Sequence, residues 1–87
     1  MRETYGVAAF RSRQQVLRFE AALKRQGVPA RVVTTPREIA MGCGLSVRFP
    51  MEDLRDVRRA LLAQNTGNLI GLYRVEYDGG RLRIAPV

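Results

Sequence analysis

The chain has 87 residues, of which 15 are basic and 8 acidic, giving a formal charge of +7 at pH 7 and a sequence pI near 11.0. A hydrophobic fraction of 46% and a charged fraction of 26% are typical of a folded domain, and no apolar run is long enough for a membrane span. One cysteine and no histidine exclude an intrachain disulfide, a Cys/His zinc site and the usual proton shuttle of hydrolases. We therefore expect one cytoplasmic domain over residues 1–87, without a metal or a membrane contact.

The first third of the chain predicts a strand followed by a helix. The apolar run at residues 5–10 is typical of a buried strand. Ser12 and Gln15 match a capping box, in which the Ser12 hydroxyl would accept from the amide of Gln15. Gly27 fits a left-handed cap at the end of this helix. Apolar residues at helical spacing predict the buried face of the helix: Val16, Phe19, Ala22 and Leu23.

The next segments predict two strands and a second helix. Residues 30–35 are rich in β-branched side chains, and residues 45–49 alternate apolar and polar side chains. Pro36 and Pro50 end these two strands. Acidic residues suit the positive end of a helix that follows, and apolar residues stripe one face of it: Glu52, Asp53 and Asp56, then Leu54, Val57 and Leu61.

The C-terminal part predicts a β-hairpin. Residues 69–77 form a strand, Asp78–Gly80 a turn that tolerates positive φ, and residues 81–84 the returning strand. The complete order predicts an α+β fold, a ferredoxin-like βαββαβ sandwich with two helices on one face of an antiparallel sheet and an added C-terminal hairpin strand.

The charge leaves several partners open. Fourteen of the fifteen basic residues are arginine, they are spread along the chain, and only Lys24 is lysine. Such a field favours nucleic acid, acidic proteins or small anions. Tyr5, Tyr73 and Tyr77 would suit base stacking, but the chain has no RNP-type run, and packing at the core or an edge explains them equally well.

The segment from residue 35 to 44 is too long for a simple hairpin turn. Its only cysteine, Cys43, lies between Gly42 and Gly44, which leave space for another molecule to approach the sulfur. The thiolate is the reactive form, and Arg37 and Arg48 are close enough in sequence to stabilise it. Pro36 would begin a short helical turn.

Each of these residues also has an ordinary explanation. A lone cysteine is often a buried hydrophobe, Arg37 could pair with Glu38 or with solvent, and Arg48 could be solvated. Without a second cysteine, an accessible thiolate at Cys43 would carry a group, bond to a substrate or join another chain.

These residues form a pattern that resembles a known family. Thr35-Pro36-Arg37-Glu38-Ile39, then Cys43-Gly44 and Val47-Arg48-Phe49, resemble the selenium/sulfur carrier-like family of small bacterial proteins, formerly a domain of unknown function. The likeness extends over nearly the whole chain. Serines commonly precede the family cysteine, whereas this chain has Ala40-Met41-Gly42.

The resemblance implies a carrier rather than an enzyme. Cys43 would hold sulfur or selenium as a persulfide or selenosulfide, without a resident cofactor. Residues matched by position would shape its surroundings: Thr35, Pro36, Arg37, Gly44 and Arg48. The implied partners are a donor, such as a cysteine desulfurase or a selenide source, and an acceptor enzyme.

Three other functions remain open from the residues. A basic RNA- or DNA-binding module would bind independently of the thiol and with a steep salt dependence. A protein-interaction domain would pair an outer strand with another chain. A cysteine-nucleophile enzyme would need a partner base, which the sequence does not supply. The oligomeric state, donor, acceptor and choice between sulfur and selenium do not follow from the sequence.

Overall fold

The computed structural model describes residues 2–39, 44–64 and 67–87. In this part of the chain, two α-helices, a short 3₁₀-helix and five strands follow one another. Their bounds are β1 Arg2–Phe10, α1 Arg13–Arg25, β2 Arg31–Thr34, β3 Leu45–Phe49, the 3₁₀ turn Met51–Asp53, α2 Leu54–Gln64, β4 Leu69–Asp78 and β5 Arg81–Pro86. No described helix is both long and apolar enough to cross a lipid bilayer.

The five strands form one antiparallel sheet in the order β2-β3-β1-β4-β5. The predicted α+β class with two helices and an antiparallel sheet is confirmed. The expected C-terminal hairpin strand is β5, which lies beyond β4, so the sheet has five strands rather than the four of a ferredoxin-like unit. Three predicted strands were also too short, since β1, β4 and β5 each continue past the apolar residues that suggested them.

Local sequence explains where α1 ends. Gly27 has φ of +83°, and its amide donates to the carbonyl of Lys24, while the amide of Val28 donates to the carbonyl of Leu23. This pair of bonds is a Schellman motif, which a glycine in the left-handed region favours. Ser12 is the N-cap residue, but its side chain makes no capping hydrogen bond, so the predicted capping box is wrong.

The sheet has two faces with different cover. The helix-covered face carries Ala8, Phe10, Val47 and Phe49, which form one core with the buried residues of α1 and α2. Alternate residues of the same strands lie on the opposite face, as the period of two requires. A smaller cluster lies there, formed by Val7, Ala9, Val75 and, from the segment between β2 and β3, Ile39.

The two outer strands of the sheet are β2 and β5, and α1 protects the first of them. The backbone amide of Val32 in β2 donates to the Glu20 carboxylate of α1 at 3.1 Å, and Lys24 lies 3.4 Å from the same oxygen. An unpaired amide on an edge strand is a template for association with another chain. Glu20 removes one such amide from the β2 edge.

The turn between β4 and β5 has the conformation that the sequence predicted. Asp78 pairs with Arg81, which leaves a two-residue loop of Gly79 and Gly80 with φ of +56° and +86°. Two consecutive positive φ angles are the signature of a type I′ turn, whose twist matches that of the flanking strands.

Candidate functional site

The segment between β2 and β3, residues 35–44, is here called the cysteine loop, and its two ends are held together. The amide of Thr35 donates to the carbonyl of Gly44 at 2.9 Å, which continues the β2–β3 ladder by one step beyond the pair Thr34 and Leu45. The hydroxyls of Thr35 and Ser46 lie 2.7 Å apart. Ser46 is fully buried, so this hydrogen bond satisfies a hydroxyl that would otherwise cost about 1–3 kcal/mol.

The first half of the cysteine loop is fixed to the sheet by Ile39. Its amide donates to the carbonyl of Pro36 at 3.0 Å, which closes a β-turn rather than the predicted helical turn. The Ile39 side chain is 7% exposed and packs with Val7 and Ala9 on the opposite face of the sheet. The loop is therefore anchored on the face that the helices leave uncovered.

Arg37 and Glu38 occupy the middle of that turn and are both exposed. The ion pairs of the described residues use other bases, namely Arg2, Lys24, Arg48, Arg59 and Arg74. The alternative in which Arg37 pairs with Glu38 is therefore not found in this part of the chain. The Arg37 side chain is therefore exposed to solvent within the cysteine loop.

Arg48 lies at the other end of β3 from the loop. Four residue steps of about 3.3 Å separate its backbone from Gly44, or about 13 Å. Its guanidinium lies 3.7 Å from the centre of the Tyr5 ring and 3.5 Å from the Glu3 carboxylate. Tyr5 and Glu3 precede Gly6, the partner of Phe49, so the Arg48 side chain is directed away from the loop.

The predicted carrier residue Cys43 lies outside the described residues, as do Gly42 and the preceding Ala40 and Met41. The structure nevertheless fixes the residue that follows. Gly44 is exposed, has φ of +86° and has open space where a Cβ would stand. The glycine after the cysteine is thus explained by its backbone conformation.

Ser46 is a residue of this region that the sequence reasoning did not single out. It follows Cys43 by three residues and shares the opposite face with Arg48, because both alternate with the core residue Val47. The alternation in β3 therefore predicts that the Ser46 hydroxyl lies on the opposite face, where Thr35 and Ile39 of the cysteine loop also lie. The sequence feature that could have identified Ser46 is that it is the one uncharged polar residue in β3, where the other residues are apolar or arginine.

The three tyrosines also lie on the opposite face, by their register with β1 and β4. Tyr5 is covered by Arg48, Tyr73 packs against the small apolar cluster, and Tyr77 is 46% exposed. Two of the three rings are therefore used in packing. A continuous stacking surface for nucleic-acid bases is not present among them.

Comparison with known proteins identifies a family to which the chain is similar. The family model described as "Putative Se/S carrier protein-like" matches residues 5–73, which is more than half of the chain. The chain belongs to this carrier-like family. The matched range contains the cysteine loop and the strands and helices on both sides of it, so the resemblance seen in the sequence is confirmed. No curated protein and no solved structure matches the chain.

Proposed function

We propose that this protein is a carrier of sulfur or selenium and that Cys43 is the residue that holds the atom. The observation that carries the proposal is the family match over residues 5–73, which includes the only cysteine of the chain. A carrier needs one nucleophilic sulfur and no general base of its own, which suits a chain without histidine. We regard it as a cytoplasmic carrier rather than an enzyme.

The structure around Cys43 supports this role in two ways. Thr35, Ser46 and Ile39 hold the base and the first half of the cysteine loop to the sheet, so the described residues on either side of residues 40–43 have fixed positions. Arg37 is exposed in the same loop and makes no ion pair among the described residues. A guanidinium in that position would favour the anionic form of a nearby thiol.

The transfer step follows from thiol chemistry. The Cys43 thiolate attacks the terminal sulfur of a donor persulfide, R–S–SH, and the donor leaves as the thiolate R–S⁻. The new bond joins the two sulfur atoms in Cys43–S–SH, so electrons and atoms balance without an added oxidant. A donor selenosulfide, R–S–SeH, would load selenium in the same way. An acceptor enzyme would remove the atom by the reverse exchange, and the charge of +7 favours acidic docking partners.

The test is an intact mass spectrum after anaerobic incubation with a cysteine desulfurase and cysteine. We expect the wild-type mass to rise by one sulfur atom and to return to the original value after treatment with a reductant. The Cys43→Ser variant differs by a single atom of the side chain and should gain nothing. A parallel incubation with a selenosulfide donor tests selenium as the cargo.

Alkylation of Cys43 separates the possible failures. A thiol that reacts with iodoacetamide in the native protein but never gains sulfur or selenium would contradict the carrier. A thiol that reacts only after unfolding would show that Cys43 is a core residue, which also overturns the proposal.

A further inference from the structure

A cleft lies at the end of β3, at the opposite end of that strand from the cysteine loop. We name it the β3-end cleft; it has a volume of about 450 Å³, and its lining includes Thr4, Tyr5, Pro29, Arg31, Arg48 and Pro50. It opens where β2 begins at Arg31 and β3 ends at Phe49, while β1 continues beside β4 past the pair Gly6 and Phe49. Neither the family match nor the proposed carrier role assigns a function to it.

Two arginines on neighbouring strands line the cleft. Arg31 of β2 and Arg48 of β3 are direct cross-strand partners, and both lie on the opposite face of the sheet. Side chains at such positions have their Cβ atoms about 4.5–5.5 Å apart, and like charges there are destabilising. Glu3 offsets Arg48 in part, at 3.5 Å, but Arg31 forms no ion pair among the described residues. Of the two arginines, Arg31 therefore has no acidic partner among the described residues.

The orientation of Arg48 is already fixed. Its guanidinium lies 3.7 Å from the centre of the Tyr5 ring, and its side chain is only 26% exposed. The attraction between the cation and the ring, together with the Glu3 carboxylate, holds the guanidinium in place. A guanidinium fixed in this way loses little side-chain entropy when it binds an anion.

The backbone of β1 supplies further donors. Residues 2–5 pair with β4 on one side, but their pairing with β3 begins only at Gly6. Alternate residues of a strand direct their N–H and C=O groups to opposite sides. Some of the amides in residues 2–5 therefore face the cleft without a strand partner in the described chain.

We propose that the β3-end cleft binds a small organic anion, with its phosphate or carboxylate group between Arg31 and Arg48. Guanidinium groups suit both kinds of anion because they offer paired N–H donors. Pro29, Phe49 and Pro50 contribute apolar lining to the cleft, which favours a ligand with an apolar part next to its charged group.

The test is a titration followed by amide and arginine side-chain NMR signals, with phenyl phosphate, benzoate and inorganic phosphate as probes at constant ionic strength. We expect chemical-shift changes that saturate with probe concentration and that are confined to residues lining the cleft. Arg31→Gln and Arg48→Gln should each weaken binding about tenfold, since a hydrogen bond to a charged group is lost. Arg25→Gln, which removes the same charge at the end of α1, should leave binding unchanged.

The outcomes separate the ligand classes and the two proposals. Stronger binding of phenyl phosphate than of benzoate assigns an organic phosphate, and the reverse assigns a carboxylate. Chemical-shift changes that do not saturate would overturn the site, as would the absence of any change. An equal loss of affinity in Arg25→Gln would overturn it as well. Cys43→Ser should bind like the wild type, so the cleft is tested independently of the carrier function.

Discussion

At the scale of single residues, Gly6 shows how one position can depend on a contact far along the chain. Gly6 is the cross-strand partner of Phe49, and a Cβ atom on Gly6 would overlap the Phe49 ring. Phe49 is 1% exposed and belongs to the main core, so its ring has little room to move. The absence of a side chain at residue 6 is what allows the aromatic ring to lie against β1.

We therefore expect Gly6→Ala to lower the free energy of unfolding by about 1–3 kcal/mol, the usual cost of overfilling a packed core. Urea denaturation followed by circular dichroism would measure it. Gly67→Ala is the matched control, because residue 67 has open space where a Cβ would stand and is expected to change stability by less than about 0.5 kcal/mol. Equal stabilities for the two variants would show that the ring yields without cost.

The residue scale is also where the sequence was most and least informative. Gly27, Gly79 and Gly80 were assigned to turns from local chemistry alone, and their positive φ angles confirm it. Gly6 could not be interpreted in the same way, because the reason for it is a ring 43 residues away. The sequence left Arg48 open between a position beside Cys43 and a solvated one, and only the fold shows its contacts with Tyr5 and Glu3.

At the scale of elements, α1 contributes more than its apolar face. Glu20 accepts a hydrogen bond from the edge amide of Val32 and pairs with Lys24 one turn later. Helical periodicity predicted which residues of α1 would be buried, and those residues form the core. The periodicity could not reveal the role of Glu20, because the strand that it caps is brought close only by the tertiary fold.

Replacing Glu20 by alanine should lower the free energy of unfolding by about 1–2 kcal/mol, since an edge amide loses a charged acceptor. Hydrogen exchange at the Val32 amide should become faster at the same time. Glu20→Gln keeps an oxygen acceptor, so its free energy of unfolding should fall by less than that of Glu20→Ala. Lys24→Ala removes only the ion pair and is expected to cost no more than about 0.5 kcal/mol. An unchanged exchange rate at Val32 in Glu20→Ala would contradict the capping role.

At the scale of the whole molecule, repulsion between like charges opposes the compact state. The chain carries +7 over 87 residues, and the five ion pairs of the described residues have at least one partner on the surface in each case. Exposed ion pairs contribute little to the free energy of unfolding, and salt screens them. Salt also weakens the net repulsion between the positive charges, which stabilises the folded state.

We expect the melting temperature to rise as sodium chloride is increased from about 10 to about 200 mM, over which the screening length falls from about 30 Å to less than 10 Å. Differential scanning calorimetry at neutral pH would measure the change. Arg25→Gln, with one charge fewer, should show a smaller rise. A melting temperature that falls with salt would mean that ion pairs outweigh the repulsion.

The sheet order was the part of the whole fold that sequence reasoning did not provide. Each strand could be located from alternation or apolar runs, but pairing depends on contacts between distant segments, such as β1 with β4. The same limit applied to the candidate site. The motif identified the cysteine loop, but only the fold shows that Thr35, Ile39 and Ser46 fasten it to the sheet.

The two outer edges of the sheet differ in how open they are to pairing with another chain. Glu20 caps an amide of β2, whereas the outer edge of β5 has no strand beside it in the described chain. A filament grows only when two different edges of each copy can pair with their neighbours. Pairing of β5 with β5 about a two-fold axis would use the same edge in both copies and leave the two β2 edges outward, each with the Val32 amide bonded to Glu20. Such a pairing would close at two copies, and the bonded Val32 amide would disfavour further growth from the β2 edge.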